Sequence, residues 1–236
     1  MTANAPRSVP NPHEAIGPAA VGRPRAAGPG RLETLGMKLL TTFYRRVVVV
    51  ERSLDTALPA LDAGIEVEWR LLAERDLPAY WAFRPRVPER IARERLAGGD
   101  RCAVAWRDGR IVHCMWATRE RGHSPYLRRD LLLAPDQVYL FDAHTAPAYR
   151  GYALALAAHG YLFRHCRAEG ARRAVGIVAI ENPLGARMVA KAGYARVGLY
   201  ACLRLGPWQH DWQRAWGDSA LPTLAPPRAR RAVEQA

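Results

Sequence analysis

Asp142-Ala143-His144-Thr145-Ala146-Pro147-Ala148-Tyr149-Arg150-Gly151-Tyr152-Ala153-Leu154-Ala155 is the stretch on which the fold turns. Val138 to Thr145 reads as a strand, Pro147 breaks the extended pattern, and a helix runs from Tyr152 to about Arg167. Leu154, Ala157, Ala158, Tyr161 and Leu162 share one face of that helix. A strand that feeds a helix through a tight turn leaves the first N–H groups of the helix without partners. The positive end of the helix dipole lies behind them, which makes an anion site. The small residues Gly151, Ala153 and Ala155 let a pyrophosphate approach the backbone closely.

Upstream, Ile65 to Leu71 alternates apolar with polar and predicts a half-buried strand. Two helical stretches follow. Asp76 can cap the first, and the second runs from about Val87 to Ala97, where Gly98-Gly99 stops it. Arg101 to Trp106 and Arg110 to Thr118 are strands joined at Asp108-Gly109, a hairpin turn signal. Downstream, Ala174 to Ile180 is a short strand and Pro183 to Ala192 a helix stopped by Gly193. Tyr194 to Leu205 is a last strand or strand pair. An early hairpin followed by a strand-helix-strand unit specifies an α/β protein with a mixed sheet.

The segment from Thr145 to Ala155 resembles the coenzyme A signature of the GNAT acetyltransferases, R/Q-x-x-G-x-G/A. Asn182-Pro183-Leu184-Gly185-Ala186-Arg187-Met188-Val189-Ala190-Lys191-Ala192-Gly193-Tyr194 is similar to that family's second motif, an asparagine opening a helix that ends in Gly-Phe or Gly-Tyr. The likeness covers roughly Ile65 to Leu205. It implies a mainly antiparallel central sheet flanked by helices and splayed between the fourth and fifth core strands. It also implies acetyl-CoA or another acyl-CoA as co-substrate and a primary amine, on a small molecule or a protein, as acceptor. Backbone at Thr145 and Ala146 would meet the acyl carbonyl and pantetheine. The N–H groups of Arg150, Gly151, Tyr152, Ala153, Leu154 and Ala155 would cradle the pyrophosphate. Asn182 would sit near the sulfur, with a plain helix N-cap as the alternative.

Two positions depart from the pattern. The central glycine of the signature is Ala153, and the tyrosine that often protonates the departing thiolate is replaced by Val189. The proton work therefore needs other residues. Asp142 and His144, two apart on one strand, share a face and are candidates for an acid-base pair, against the alternative of structural hydrogen bonds. Tyr139 is the next candidate if a bulge reassigns the faces, and Tyr200 is a substitute acid. Arg119, Arg121, Arg128 and Arg129, in a loop from Arg119 to Ala134, would favour an acidic or phosphorylated acceptor, or would simply be solvated. A GNAT-like module that binds acyl-CoA without transfer is the rival reading.

The chain divides into a Pro/Ala/Gly-rich tail over residues 1–30, read as disordered, a helix-strand extension over 31–62, the transferase-like domain over 63–206, and a C-terminal segment over 207–236. Trp208, Trp212 and Trp216 recur every four residues, which predicts a short helix with a tryptophan face. The residues after about Ala220 read as disordered. The net charge of +13 is almost all arginine and lacks a basic stripe with interleaved aromatics, so nucleic acid is not an expected partner. No apolar run approaches the roughly 20 residues that span a bilayer, and the four cysteines are too scattered for a metal cluster. These features point to a cytoplasmic enzyme without a metal, and they allow a homodimer.

Overall fold

The computed structural model describes residues 43–57 and 61–226. The tail over 1–30, most of the helix read from Leu32 to Tyr44, and residues 227–236 lie outside the described residues. The strands are β1 (Tyr44–Ser53), β2 (Glu68–Leu71), β3 (Arg101–Arg107), β4 (Arg110–Thr118), β5 (Arg121–Ser124), β6 (Arg129–Leu132), β7 (Gln137–Thr145), β8 (Arg173–Ala179), β9 (Ala195–Leu205), β10 (Trp208–Ala215) and β11 (Thr223–Ala225). The helices are α1 (Leu77–Phe83), α2 (Glu89–Ala97), α3 (Leu154–Ala168) and α4 (Pro183–Lys191).

Eight strands form one sheet in the order β10-β9-β1-β8-β7-β4-β3-β2, antiparallel except between β7 and β8. The hairpin at Asp108-Gly109 forms as its residues dictate, with φ of 49° and 71° at the two turn positions. The β7–β8 ladder is short: it pairs Gln137 with Arg173, Val138 with Ala174 and Tyr139 with Val175, and ends there. Beyond that point the two strands separate and leave a notch in the middle of the sheet.

The boundary expected near residue 62 needs correction. β1 lies between β8 and β9 and is paired with both, so residues 44–53 are an interior strand and not an appended extension. Its run Val47-Val48-Val49-Val50 is apolar throughout because both faces of the sheet are covered. Val50, partnered by Val48, packs under α3 against Leu162 and Phe163, while Val47 and Val49 join the opposite core with Leu127 and Leu131. The loop expected from Arg119 to Ala134 instead contains β5 and β6, which with β11 make a three-stranded second sheet on that opposite face. β11 also corrects the expectation of disorder after Ala220. Tyr200 pins this segment by donating its hydroxyl hydrogen bond to the Pro222 carbonyl.

The tryptophan segment is a strand, not a helix. β10 pairs antiparallel with β9 along its whole length. A spacing of four is a multiple of the strand period of two, so Trp208 and Trp212 share a face in either conformation. His210 between them, its ring 4.4 Å from Trp212 and 5.9 Å from Trp208, belongs to that face and marks the strand period.

Candidate active site

The notch opens into a cavity of about 640 Å³. Tyr139 to Ala143 of β7 and Gly176 to Ala179 of β8 form its floor, α4 and the segment before α2 form walls, and His123 and Pro125 of the second sheet close one side. Parallel strands that part at their C-terminal ends create such a crevice because the backbone there has lost its lateral partner.

A bulge shapes the floor. Trp116 of β4 faces Phe141 and Cys114 faces His144, so Asp142 and Ala143 together oppose Met115. Asp142 takes a left-handed φ of 48°, which an aspartate tolerates better than most side chains. Its two carboxylate oxygens are engaged by Arg84 Nη2 at 2.9 Å and Arg95 Nη1 at 2.7 Å. The guanidinium of Arg95 in turn lies 5.1 Å and 5.0 Å from the ring centres of Trp116 and Phe141. A carboxylate held by two arginines is a clamp that fixes the bulge. His144 is outside the cavity lining, packs edge-on to Phe83 at 5.3 Å, and among the described residues has no hydrogen bond to Asp142. The expected Asp142–His144 pair is therefore not assembled, because the bulge breaks the period-two placement on which it depended. Desolvation, with Arg84 beside it, lowers the proton affinity of His144 further. Tyr139 does line the cavity, stacked on Phe141 at 5.5 Å. Burial and then the Asp142 charge push its hydroxyl pKa upward, so it keeps its proton.

The junction before α3 has the anticipated form. Pro147–Tyr149 make a single 3₁₀ turn, Gly151 has φ of 92°, and Ala153 sits in the left-handed region at φ 54°, ψ 18°. Among the described residues none of the N–H groups from Gly151 to Leu156 meets a backbone acceptor, and the helix ladder starts with Ala157 N to Ala153 O at 3.0 Å. Gly64 N donates to Tyr152 O at 2.9 Å and braces the turn from outside. Arg150 departs from the expected run, since its N–H donates to Pro147 O at 3.3 Å; among the described residues the N–H groups of Gly151, Tyr152, Ala153, Leu154 and Ala155 stay without backbone partners, and the backbone at Gly151 is open.

Thr145 and Ala146 lie at the C-terminal end of β7 and just beyond it. Thr145 Oγ1 is 2.8 Å from His113 Nδ1, and Ala146 N donates to Val112 O at 2.9 Å, so both face β4 and neither lines the notch. Asp142 and Ala143 do line it. Asn182 caps α4 by accepting from Gly185 N at 2.9 Å, and it also lines the cavity. Val189 is buried in the cavity wall and brings no hydroxyl there. Tyr200, the substitute acid, is buried in the opposite core away from the cavity.

The second sheet contributes a group that the sequence reading passed over. His123 on β5 and Asp130 on β6 are directly opposite, with Nδ1 2.7 Å from Oδ1. Arg121 Nη1 holds the other oxygen of Asp130 at 2.9 Å. The only available signal was a hairpin hidden in an arginine-rich stretch without strong strand formers. Three of the four arginines noted there are committed: Arg121 to Asp130, Arg129 to Asp211, and Arg119 to the carbonyls of Glu169 and Pro135. They do not form a free basic loop. The cavity has its own cations, Arg86 and the Asp142-bound Arg95.

No family model matches the sequence, and no curated protein matches it. Solved structures do. A GCN5-related N-acetyltransferase from Sphaerobacter thermophilus aligns with a TM-score of 0.52 at 18% identity, covering 76% of this chain and 56% of that one. A GNAT-family acetyltransferase from Novosphingobium aromaticivorans aligns at 0.49 and 17% identity, over 67% of this chain and 62% of that one. A predicted acetyltransferase from Clostridium acetobutylicum, solved with acetyl-CoA, aligns at 0.43 and 14% identity, over 61% of this chain and 94% of that one. The chain spans only 56% and 62% of the length of the first two. The first alignment establishes a GNAT-like fold for this protein.

Proposed function

We propose that this chain, with its GNAT-like fold, is an acyl-CoA-dependent N-acyltransferase that moves the acyl group, most simply acetyl, to a primary amine by direct attack. The observation that carries this reading is the run of N–H groups from Gly151 to Leu156, without backbone partners among the described residues, at the head of the helix that follows β7, whose separation from β8 opens the notch. In this reading the head of α3 holds the pyrophosphate and the pantetheine lies between β7 and β8, which brings the thioester to Asp142, Ala143 and Asn182. The acceptor enters past Arg86 and Val87, where a cation and apolar side chains suit an amine on a neutral or acidic body.

A second reading has its own support. Val189 stands where a thiolate-protonating tyrosine is expected, and Asp142 is consumed by two arginines. Both suit a module that binds acyl-CoA without transferring it. Thermal denaturation with added CoA, acetyl-CoA and longer acyl-CoA tests the shared premise: ligand at 100 times its Kd stabilises by about 2.7 kcal/mol. The absence of any shift would sink both readings. Thiol release from acetyl-CoA in the presence of amines separates them, since only the transferase produces it.

A further inference from the structure

We propose that His123, oriented by Asp130, is the general base that removes the proton from the acceptor amine. The assignment rests on the acyl-transfer reading above. His123 lines the cavity and is only 6% exposed, and its Nε2, across the ring from Asp130, is buried without a hydrogen-bond partner. An unpartnered buried nitrogen is a desolvated group that a substrate could satisfy. Asp130 is fully buried and its carboxylate accepts only, so the proton of the neutral imidazole resides on Nδ1 and the lone pair on Nε2. Arg121 balances the aspartate and fixes its rotamer.

The alternatives along the cavity are weaker. Asp142 is clamped by two arginines, and Tyr139 keeps its proton. His159 also lines the cavity, but its Nδ1 donates to a neutral carbonyl, Ala155 O at 2.7 Å, and burial lowers its proton affinity with no carboxylate to offset that. Among the cavity histidines, only His123 has a carboxylate behind it to stabilise the imidazolium formed in the reaction.

In the step itself the amine nitrogen attacks the thioester carbonyl carbon and a C–N bond forms. Nε2 of His123 takes one N–H proton. The tetrahedral intermediate collapses, the C–S bond breaks with its electron pair going to sulfur, and the thiolate takes a proton from solvent while the imidazolium returns its own to solvent. The sum is amine plus acyl-CoA giving amide plus CoA.

The test uses the full chain with acetyl-CoA and three probe amines: ethylamine, β-alanine and phosphoethanolamine. Wild type, His123→Ala and His123→Gln are compared for acetyl-CoA-induced thermal stabilisation and for thiol release. The glutamine variant keeps a donor to Asp130 and covers the case in which the alanine variant does not fold. We expect both variants to keep the coenzyme-induced shift and to lose about 10²- to 10⁴-fold in turnover. Added imidazole should restore part of the rate to His123→Ala. Wild-type turnover that survives in the variants overturns the base and leaves the transferase intact. Lost turnover together with a lost coenzyme shift assigns His123 a structural role and also overturns it. A wild type that binds acetyl-CoA but releases no thiol with any probe overturns the transfer reading, and the base with it.

Discussion

Ala153 shows how much one methyl group matters. Its φ of 54° is a conformation that L-residues enter at a cost of about 1–2 kcal/mol and that glycine enters freely. Ala153→Gly should therefore stabilise the fold by about 1 kcal/mol and raise Tm by about 2–4 °C in a thermal melt; an unchanged or lower Tm contradicts a strained turn. His113 gives a second prediction. It is buried, its Nε2 has no partner, and desolvation foremost lowers its pKa from 6.5 to about 3. Below pH 6.5 the unfolded chain binds a proton that the folded chain refuses, so stability is complete above that value and falls towards pH 3. The slope is about 1.4 kcal/mol per pH unit for one such imidazole, and burial shifts His159 in the same direction. Urea denaturation at successive pH values should show this slope, and His113→Asn should flatten it. The departure at Ala153 from a glycine position was legible in the sequence, whereas its left-handed φ and the uncharged state of His113 were not, because only the folded backbone sets the one and only packing reveals the desolvation of the other.

At the level of elements, chain segments were read well where local chemistry dictates conformation and badly where period alone was the guide. The Asp108-Gly109 hairpin and the helices stopped by Gly98 and Gly193 follow from backbone preferences that act within a few residues. The tryptophan segment did not, since its spacing of four fits a helix face and a strand face equally, and pairing with β9 decided the matter. The β5–β6 hairpin shows the same limit. Its strands are four residues each and carry glycine, serine and arginine, so they are stable only as a layer packed on β7. Gly122 makes that packing possible: a Cβ there would overlap the Tyr139 ring, which is itself stacked on Phe141. Gly122→Ala should cost about 1–3 kcal/mol by forcing the hairpin away from β7. The displacement should also move His123 out of the cavity. Chemical denaturation and acetyl-CoA turnover would each register the change, and a variant with wild-type values in both would show that the layer has slack.

Across the whole molecule the sheet depends on a strand that comes from far upstream. β1 fills the gap between β8 and β9, and its valines feed both cores. A chain beginning at residue 61 would leave two facing edges unpaired and both hydrophobic faces open. It should show no cooperative unfolding transition by circular dichroism, and a cooperative one would mean that β8 and β9 can close on each other. The sequence by itself determined the α/β class, the order of elements from β2 to β4 and from β7 to β9, and the turn at Gly151 that feeds α3, because propensity, turn chemistry and helix termini are properties of neighbours along the chain. Tertiary structure alone decided that β1 is central, that the bulge turns Asp142 into an arginine clamp, and that His123 meets Asp130 beside the notch. Those outcomes depend on register and on which distant residues exclude water from one another, and neither is written in any local stretch of sequence.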